Sequence, residues 1–235
     1  MQGDWKTYKK REVNPGSTRH FKYRSKKHAK VTCFAFLLLV NLKISSQNIS
    51  LKKWNSNDFD LVLLKLDFTN DITINESESS IIYVKYKQEG EFKENIILKT
   101  TIDNRELKIK EIVSPTLKAH NDKLSVHKTV VNSIEVTVPI NFRTLINTKS
   151  CSMKIMAPFS DIHINIDEGK VNLNQKKIKG VLNSISADIF CVNPLSKLLI
   201  TSKAGFISGL NKSSIKPNLV IKTIRGDVSK ECFIN

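Results

Sequence analysis

Histidines, cysteines, carboxylates and lysines are the groups through which this chain could do chemistry, and their spacing decides whether any of them can act together. His120 and His127 stand seven apart with Asp122 between them, a start on a metal-ligand set, but no HxH, HExxH or CxxC accompanies them. His163 lies between Ile162 and Ile164, on the outward phase of an alternating run. All three read as surface histidines, and no metal is expected. Asp161, Asp167 and Glu168 would suit a calcium-binding turn, yet the Gly-rich, Asp-bearing nonapeptide of calcium-binding solenoids is missing. They read as solvated turn carboxylates. No G-x-S-x-G, Ser/Lys pair or phosphate loop occurs. No catalytic residue and no cofactor is therefore assigned, and the chain reads as a non-enzyme.

The basic residues need the same weighing. Lys154, Lys170, Lys176, Lys177 and Lys179 could form a stripe on one face. Nucleic-acid readers interleave such charge with stacking aromatics, and here aromatics are only 7% of the chain. A solvated face is the expectation, and no nucleic-acid partner. Of the four cysteines, Cys33 sits in an apolar run near the N-terminus. Cys151, Cys191 and Cys232 are an odd number at unrelated spacings, which is no disulfide framework. Cys151 and Cys191 read as small core fillers, and nothing in the spacing supports a Cys191–Cys232 bridge.

The elements that would position these groups are strands. Leu64, Leu66 and Phe68 alternate with Lys65 and Asp67; Ile82, Val84 and Tyr86 with Tyr83 and Lys85; Leu107 and Ile109 with Lys108 and Lys110; Ile134, Val136 and Val138 with Glu135 and Thr137. Period two without any useful helical period predicts an all-β domain. Residues 48–140 hold such strands at irregular spacing, joined by polar turns at 75–80 and 88–91.

From about residue 141 a repeat takes over. Cys151, Gly169, Ala187, Gly205 and Gly226 are small residues at steps of 18, 18, 18 and 21. Two positions after each comes Met153, Val171, Ile189, Ile207 or Val228, and five before each comes Ile146, Ile164, Leu182, Ile200 or Ile221. A fixed period marks units that stack on one another. Two short strands and two turns per unit predict a β-solenoid, or β-helix, with coils of about 18 residues over 141–235, each strand paired with its equivalent in the next unit. Hexapeptide-repeat acyltransferases share that coil length but need an aliphatic residue every six positions. Lys177, Asn183 and Ser213 stand where those would be. Because Cys and Ala share the small slot with Gly, its constraint is size: Ala187 should face a tight turn or the interior, and Asp188 should point outward.

The net charge of +16 is unevenly divided. Residues 1–30 hold ten Lys or Arg against Asp4 and Glu12, whereas 48–235 is only mildly basic. The basic head runs into the apolar stretch Val31–Val40 and then Ser45 and Gln47, the three-part pattern of a secretory signal peptide cut after Gln47. Ten apolar residues are too few to span a bilayer, which takes about 20. The competing reading is a buried strand behind a basic tail. The expected organisation is a leader over 1–47 and one β domain over 48–235.

Several segments together resemble a bacterial putative-adhesin family of unknown function. The apolar strand, short polar turn and isoleucine-alternating strand of that family are similar to Phe59–Ile74, and its valine-x-valine-proline strand resembles Ile134–Pro139. Its Thr/Ser-x-x-Gly-Asp-Val unit is closest at Thr223–Val228, with looser copies at Ser184–Ile189 and Ser202–Ile207. The pattern departs at Cys151 and Ala187, and at Ser152, Lys170 and Phe206. The resemblance covers about 49–232 and implies an exported β-solenoid with no catalytic residues. The function expected is a non-enzymatic, adhesin-like envelope or cell-surface interaction protein, in the periplasm, on the outer membrane or outside the cell. It would meet the membrane only during export. A glycan or an envelope protein would suit its outer faces of Asn, Ser, Thr and Lys. The alternatives are a polysaccharide-acting β-helix enzyme and a structural or regulatory periplasmic protein.

Overall fold

The structure, a computed structural model, describes residues 48–90, 95–115, 131–157, 161–174, 177–192, 197–210 and 216–230. The leader, its cut after Gln47, His120, Asp122, His127, Lys176 and Cys232 lie outside them.

Alternation builds the strands. In β2 (Leu61–Leu66), Val62, Leu64 and Leu66 are buried while Leu63 and Lys65 face out, because successive strand side chains point to opposite faces. The same logic gives β1 (Asn48–Asn55), β3 (Asp71–Ser77), β4 (Ile81–Glu89), β5 (Ile96–Asp103), β6 (Glu106–Val113) and β7 (Val131–Pro139). It continues in β8 (Arg143–Met156), β9 (Asp161–Leu173), β10 (Lys179–Ser184), β11 (Asp188–Cys191) and β12 (Leu198–Ser202). The last strands are β13 (Ile207–Ser208), β14 (Leu219–Thr223) and β15 (Val228–Lys230). One short 3₁₀ turn, Ser56–Asp58, follows β1, and there is no α-helix among the described residues. The domain is all-β, and its strands hydrogen-bond into one open sheet.

The sheet is two ladders. The first runs β5, β6, β2, β8, β9, β10, β14, β12, and the second runs β1, β4, β7, β3, β8, β9, β11, β15, β13. Strands β8 and β9 are long enough to serve both. Inward rungs are aliphatic. Ile109, Leu64, Ile146, Ile164, Leu182, Ile221 and Ile200 line up across the first ladder. Ile134, Ile72, Met153, Val171, Ile189, Val228 and Ile207 line up across the second. Both rows join one hydrophobic cluster.

The order of pairing departs from the expectation that each unit pairs with the next in sequence. Leu182 pairs with Ile221, and Ile221 with Ile200, so the 18-residue neighbour of Leu182 sits two strands away. The second ladder repeats the insertion, with Val228 between Ile189 and Ile207. A shared phase lets any unit pair in register with any other, so period fixes register without fixing order.

Residues 48–140, irregular in spacing, join the same ladders in the same register. Strands β2, β3, β6 and β7 pair parallel, and β1, β4 and β5 add antiparallel neighbours. The β5–β6 hairpin turns on Asn104 and Arg105, both at positive φ (47° and 61°), which is the two-residue turn matched to strand twist. Arg105 Nη2 lies 2.9 Å from Asp60 Oδ1, and this hydrogen bond holds the Asp60 carboxyl below its ordinary range. No residue of the end strands β1 and β5 is fully buried.

Candidate interaction face

The small-residue slots form the corner between the two ladders. Cys151 pairs with Gly169 in register. A Cβ on Gly226 would fall on the carbonyl oxygen of Ala187, and one on Gly169 would fall on that of Cys151. Gly169 also sits at φ +116°, where L side chains are strained. The Ser or Thr three positions earlier explains the rest of the motif. Gly226 N–H donates to Thr223 Oγ1 at 3.0 Å, Ala187 N–H to Ser184 Oγ at 2.8 Å, and Gly205 N–H to Ser202 Oγ at 2.9 Å. The Asp after the small residue faces out and links units. Asp227 N–H donates to Asp188 Oδ1 at 3.1 Å, and Phe206 N–H to Asp227 Oδ1 at 2.8 Å. The corner is thus a scaffold of caps; its polar groups already have partners.

Other groups read from the sequence fall into place singly. Cys151 and Cys191 are buried, and that burial raises their thiols to about 11 and about 12. Such thiols are protonated at neutral pH and poor nucleophiles. His163 Nε2 stands 3.3 Å from Asp161 Oδ1 on the outer surface. Among the described residues no three of His, Cys, Asp and Glu gather as a metal site would require. The stripe that Lys154, Lys170 and Lys179 could have formed, against the expectation of a solvated face, does not form. Lys154 pairs with Thr73 and Asn172 and Lys170 with Ser152 and Asp188 in the second ladder, while Lys179 pairs with Asp161 in the first.

Sequence reasoning missed a buried acid. Glu111 follows Leu107 and Ile109 on their inward phase, and that is the signal that could have found it. Its Oε1 accepts from Thr69 Oγ1 at 2.7 Å and from Tyr86 OH at 2.8 Å, and its Oε2 accepts from Phe68 N–H at 2.7 Å. The carboxylate is only 6% exposed and ties β4 and β6 to the β2–β3 connection, so it is a structural group.

It also missed a row on the outer face of the first ladder. Lys99 stands opposite Lys110, Lys110 beside Lys65, and Lys65 beside Asn147. The row continues through Asn165 and Asn183 to Lys222. These seven come from all over the sequence, and only the register brings them into line. The amides hydrogen-bond head to tail: Asn165 Nδ2 donates to Asn147 Oδ1 at 2.8 Å, and Asn183 Nδ2 to Asn165 Oδ1 at 2.9 Å. Where the row meets the corner there is an open groove of about 410 Å³, lined by Asn165, Asn183 and Lys222 and by Asp167, Ile185, Lys203 and Ile224. The face offers cations, carboxamides and aliphatic surface in one line. It holds no paired nucleophile and base.

No family model matches the chain. No curated protein matches it. Among solved structures, a putative cell adhesion protein from Clostridium sporogenes superposes with a TM-score of 0.52 at 14% identity, over 79% of this chain and 97% of that one. A putative adhesin from Bacteroides fragilis aligns over 80% of this chain and 99% of its own, at 12% identity and a TM-score of 0.30. A putative lipid binding protein from Parabacteroides distasonis aligns over 79% and 97%, at 12% identity and a TM-score of 0.25. Several of the structures with which this chain aligns are bacterial proteins named putative adhesins, and the fold of this chain is the all-β fold of the Clostridium adhesion protein.

Proposed function

We propose that this chain is an exported, non-enzymatic interaction module of adhesin type, built as a β-solenoid and taking its partner on the outer face of the first ladder. The 18-residue register from Ile146 to Ile164 to Leu182 supports the solenoid. The leader pattern at 1–47 supports export to the periplasm, the outer membrane surface or the medium. The observation that carries the interaction reading is the row of Lys and Asn side chains held at strand spacing on the outer face of the first ladder. Such a surface offers many weak, aligned contacts and no group placed to break a bond. A glycan array probed with the purified full chain, followed by chromatography of the bound glycans, tests it. Retention with every glycan recovered at its original length is expected. Shortened products would make the chain a polysaccharide-acting enzyme.

A further inference from the structure

We infer that the Lys–Asn row is a rail for a linear acidic polysaccharide of the polyuronate class; this rests on the interaction-module reading above. The electrostatics come first. Lys99, Lys110 and Lys65 are exposed and directly opposite one another on three adjacent strands. Like charges so placed destabilise a sheet. Among the described residues no carboxylate pairs with any of the three. A nearby lysine is treated differently: Lys108 Nζ lies 2.8 Å from Asp103 Oδ2 and 3.2 Å from Glu106 Oε2. The unpaired stack is satisfied by an anion from outside, and its linear form asks for a linear one.

The amides continue the same line. Each hydrogen bond along Asn147, Asn165 and Asn183 uses one N–H and one lone pair. Every carboxamide keeps a further N–H and a further lone pair, which suit the hydroxyls and carboxylates of a sugar. Strands lie about 4.8 Å apart, so the row from Lys99 to Lys222 spans roughly 29 Å. That is the reach of an extended polymer, longer than any small ligand needs. Beside the row run Leu63, Leu145 and Val181, half-buried on the same outer face, where the C–H faces of pyranose rings could rest. His163 stands in this stripe between Leu145 and Val181, and no Phe, Tyr or Trp stands in the stripe or the row, so a run of stacked bases has one imidazole and no larger platform.

The full chain is tested against immobilised alginate, a linear polyuronate, with dextran, single-stranded DNA and anionic phosphatidylglycerol vesicles as competitors. Alginate should retain the protein and dextran should not. The triple variant K65Q/K99Q/K110Q should bind alginate roughly tenfold or more weakly, with a shallower dependence on salt. Its urea midpoint should hold or rise, since the change removes repulsion within the stack. Lys154→Gln, on the other ladder, should bind within about twofold of the parent, because a single exposed charge off the row adds little. Unchanged alginate binding by the triple variant would overturn the rail, and so would tighter binding to DNA or to vesicles. A neutral glycan bound on the array without retention on alginate overturns the rail and leaves the interaction module standing. Shortened alginate overturns the non-enzymatic reading and leaves the ligand class.

Discussion

Residues 48–140 and 141–230 build the same two ladders by different means. In the second region the sequence period writes the register: Ile146, Ile164 and Leu182 are 18 apart and adjacent in space. In the first region no period exists. Leu64 and Ile109 are neighbours across 45 positions, and Ile72 and Ile134 across 62. Both regions supply the same kind of inward rung, aliphatic and, except at Ile207 in the last short strand, buried. Alternation toward a common core therefore sets the register, and loop length is nearly free, because the closure entropy of a loop grows only slowly with its length. The regions also differ in how they anchor their turns. The second uses a hydroxyl cap at the Ala187, Gly205 and Gly226 corners, and the first concentrates its polar anchoring in Glu111.

If that contrast holds, Glu111→Ala is the most damaging single change outside the aliphatic core. It strands the Thr69 hydroxyl, the Tyr86 hydroxyl and the Phe68 N–H in a buried site. Unsatisfied buried groups cost about 1–3 kcal/mol each, so a loss of about 3 kcal/mol or more is expected in urea unfolding. Tyr86→Phe should cost only about 1 kcal/mol, because one hydrogen bond goes and the carboxylate keeps two. Burial, and then the neighbouring Glu111, raise the Tyr86 hydroxyl far above the ordinary tyrosine range. The unfolded chain releases that proton near about pH 10 and the folded chain retains it, so stability falls as pH rises beyond that point. The Tyr86→Phe protein should lose this part of the alkaline fall. A flat urea midpoint for Glu111→Ala would mean that the first region is held by its strands alone.

The same contrast explains what the sequence made legible. The all-β class, the inward slots and the small corner all follow from periods of two and 18, which local chemistry imposes on the chain. The insertion of β14 between β10 and β12 was not legible, because the units at 182, 200 and 221 are equivalent in phase and only packing chooses among them. The Lys99–Lys110–Lys65 stack was hidden for a related reason. Its members lie in strands whose pairing no spacing announces. The lysines that do cluster in sequence, Lys170 and Lys179, lie in different ladders, Lys170 in the second-ladder part of β9 and Lys179 at the start of β10 in the first.

The corner sharpens the comparison at a smaller scale. Ala187→Leu puts a long side chain at a fully buried position and should cost about 1–3 kcal/mol by overpacking. Gly226→Ala adds one methyl on the far side of the same contact, onto the Ala187 carbonyl. It should fall in the same range, because neighbouring backbone must move to admit it. Two substitutions at contacting sites should also be non-additive. A double mutant that costs the plain sum of the two would separate Ala187 from Gly226, and with that remove β15 from its place between β11 and β13. Urea midpoints of the two singles and the double decide it.

The smallest expected effect concerns Asp188. Its side chain points outward, which on phase alone predicts a neutral change to Ala. The structure adds that Asp188 Oδ1 accepts the Asp227 N–H at 3.1 Å, across units that are not sequence neighbours. The bond is exposed, so water can replace it, and Asp188→Ala should cost about 0.5–1 kcal/mol. Asp188→Asn keeps an acceptor oxygen in the same place and should return most of that loss. The pair of variants separates the hydrogen bond from the charge, which a single substitution does not. A parental midpoint for both would mean that the corner is held by its small residues and hydroxyl caps alone. A loss with Ala that Asn restores would make the link from Asp188 to Asp227 part of what selects the insertion order, since in strict sequence order the same oxygen would face the N–H of Phe206, which Asp227 accepts instead.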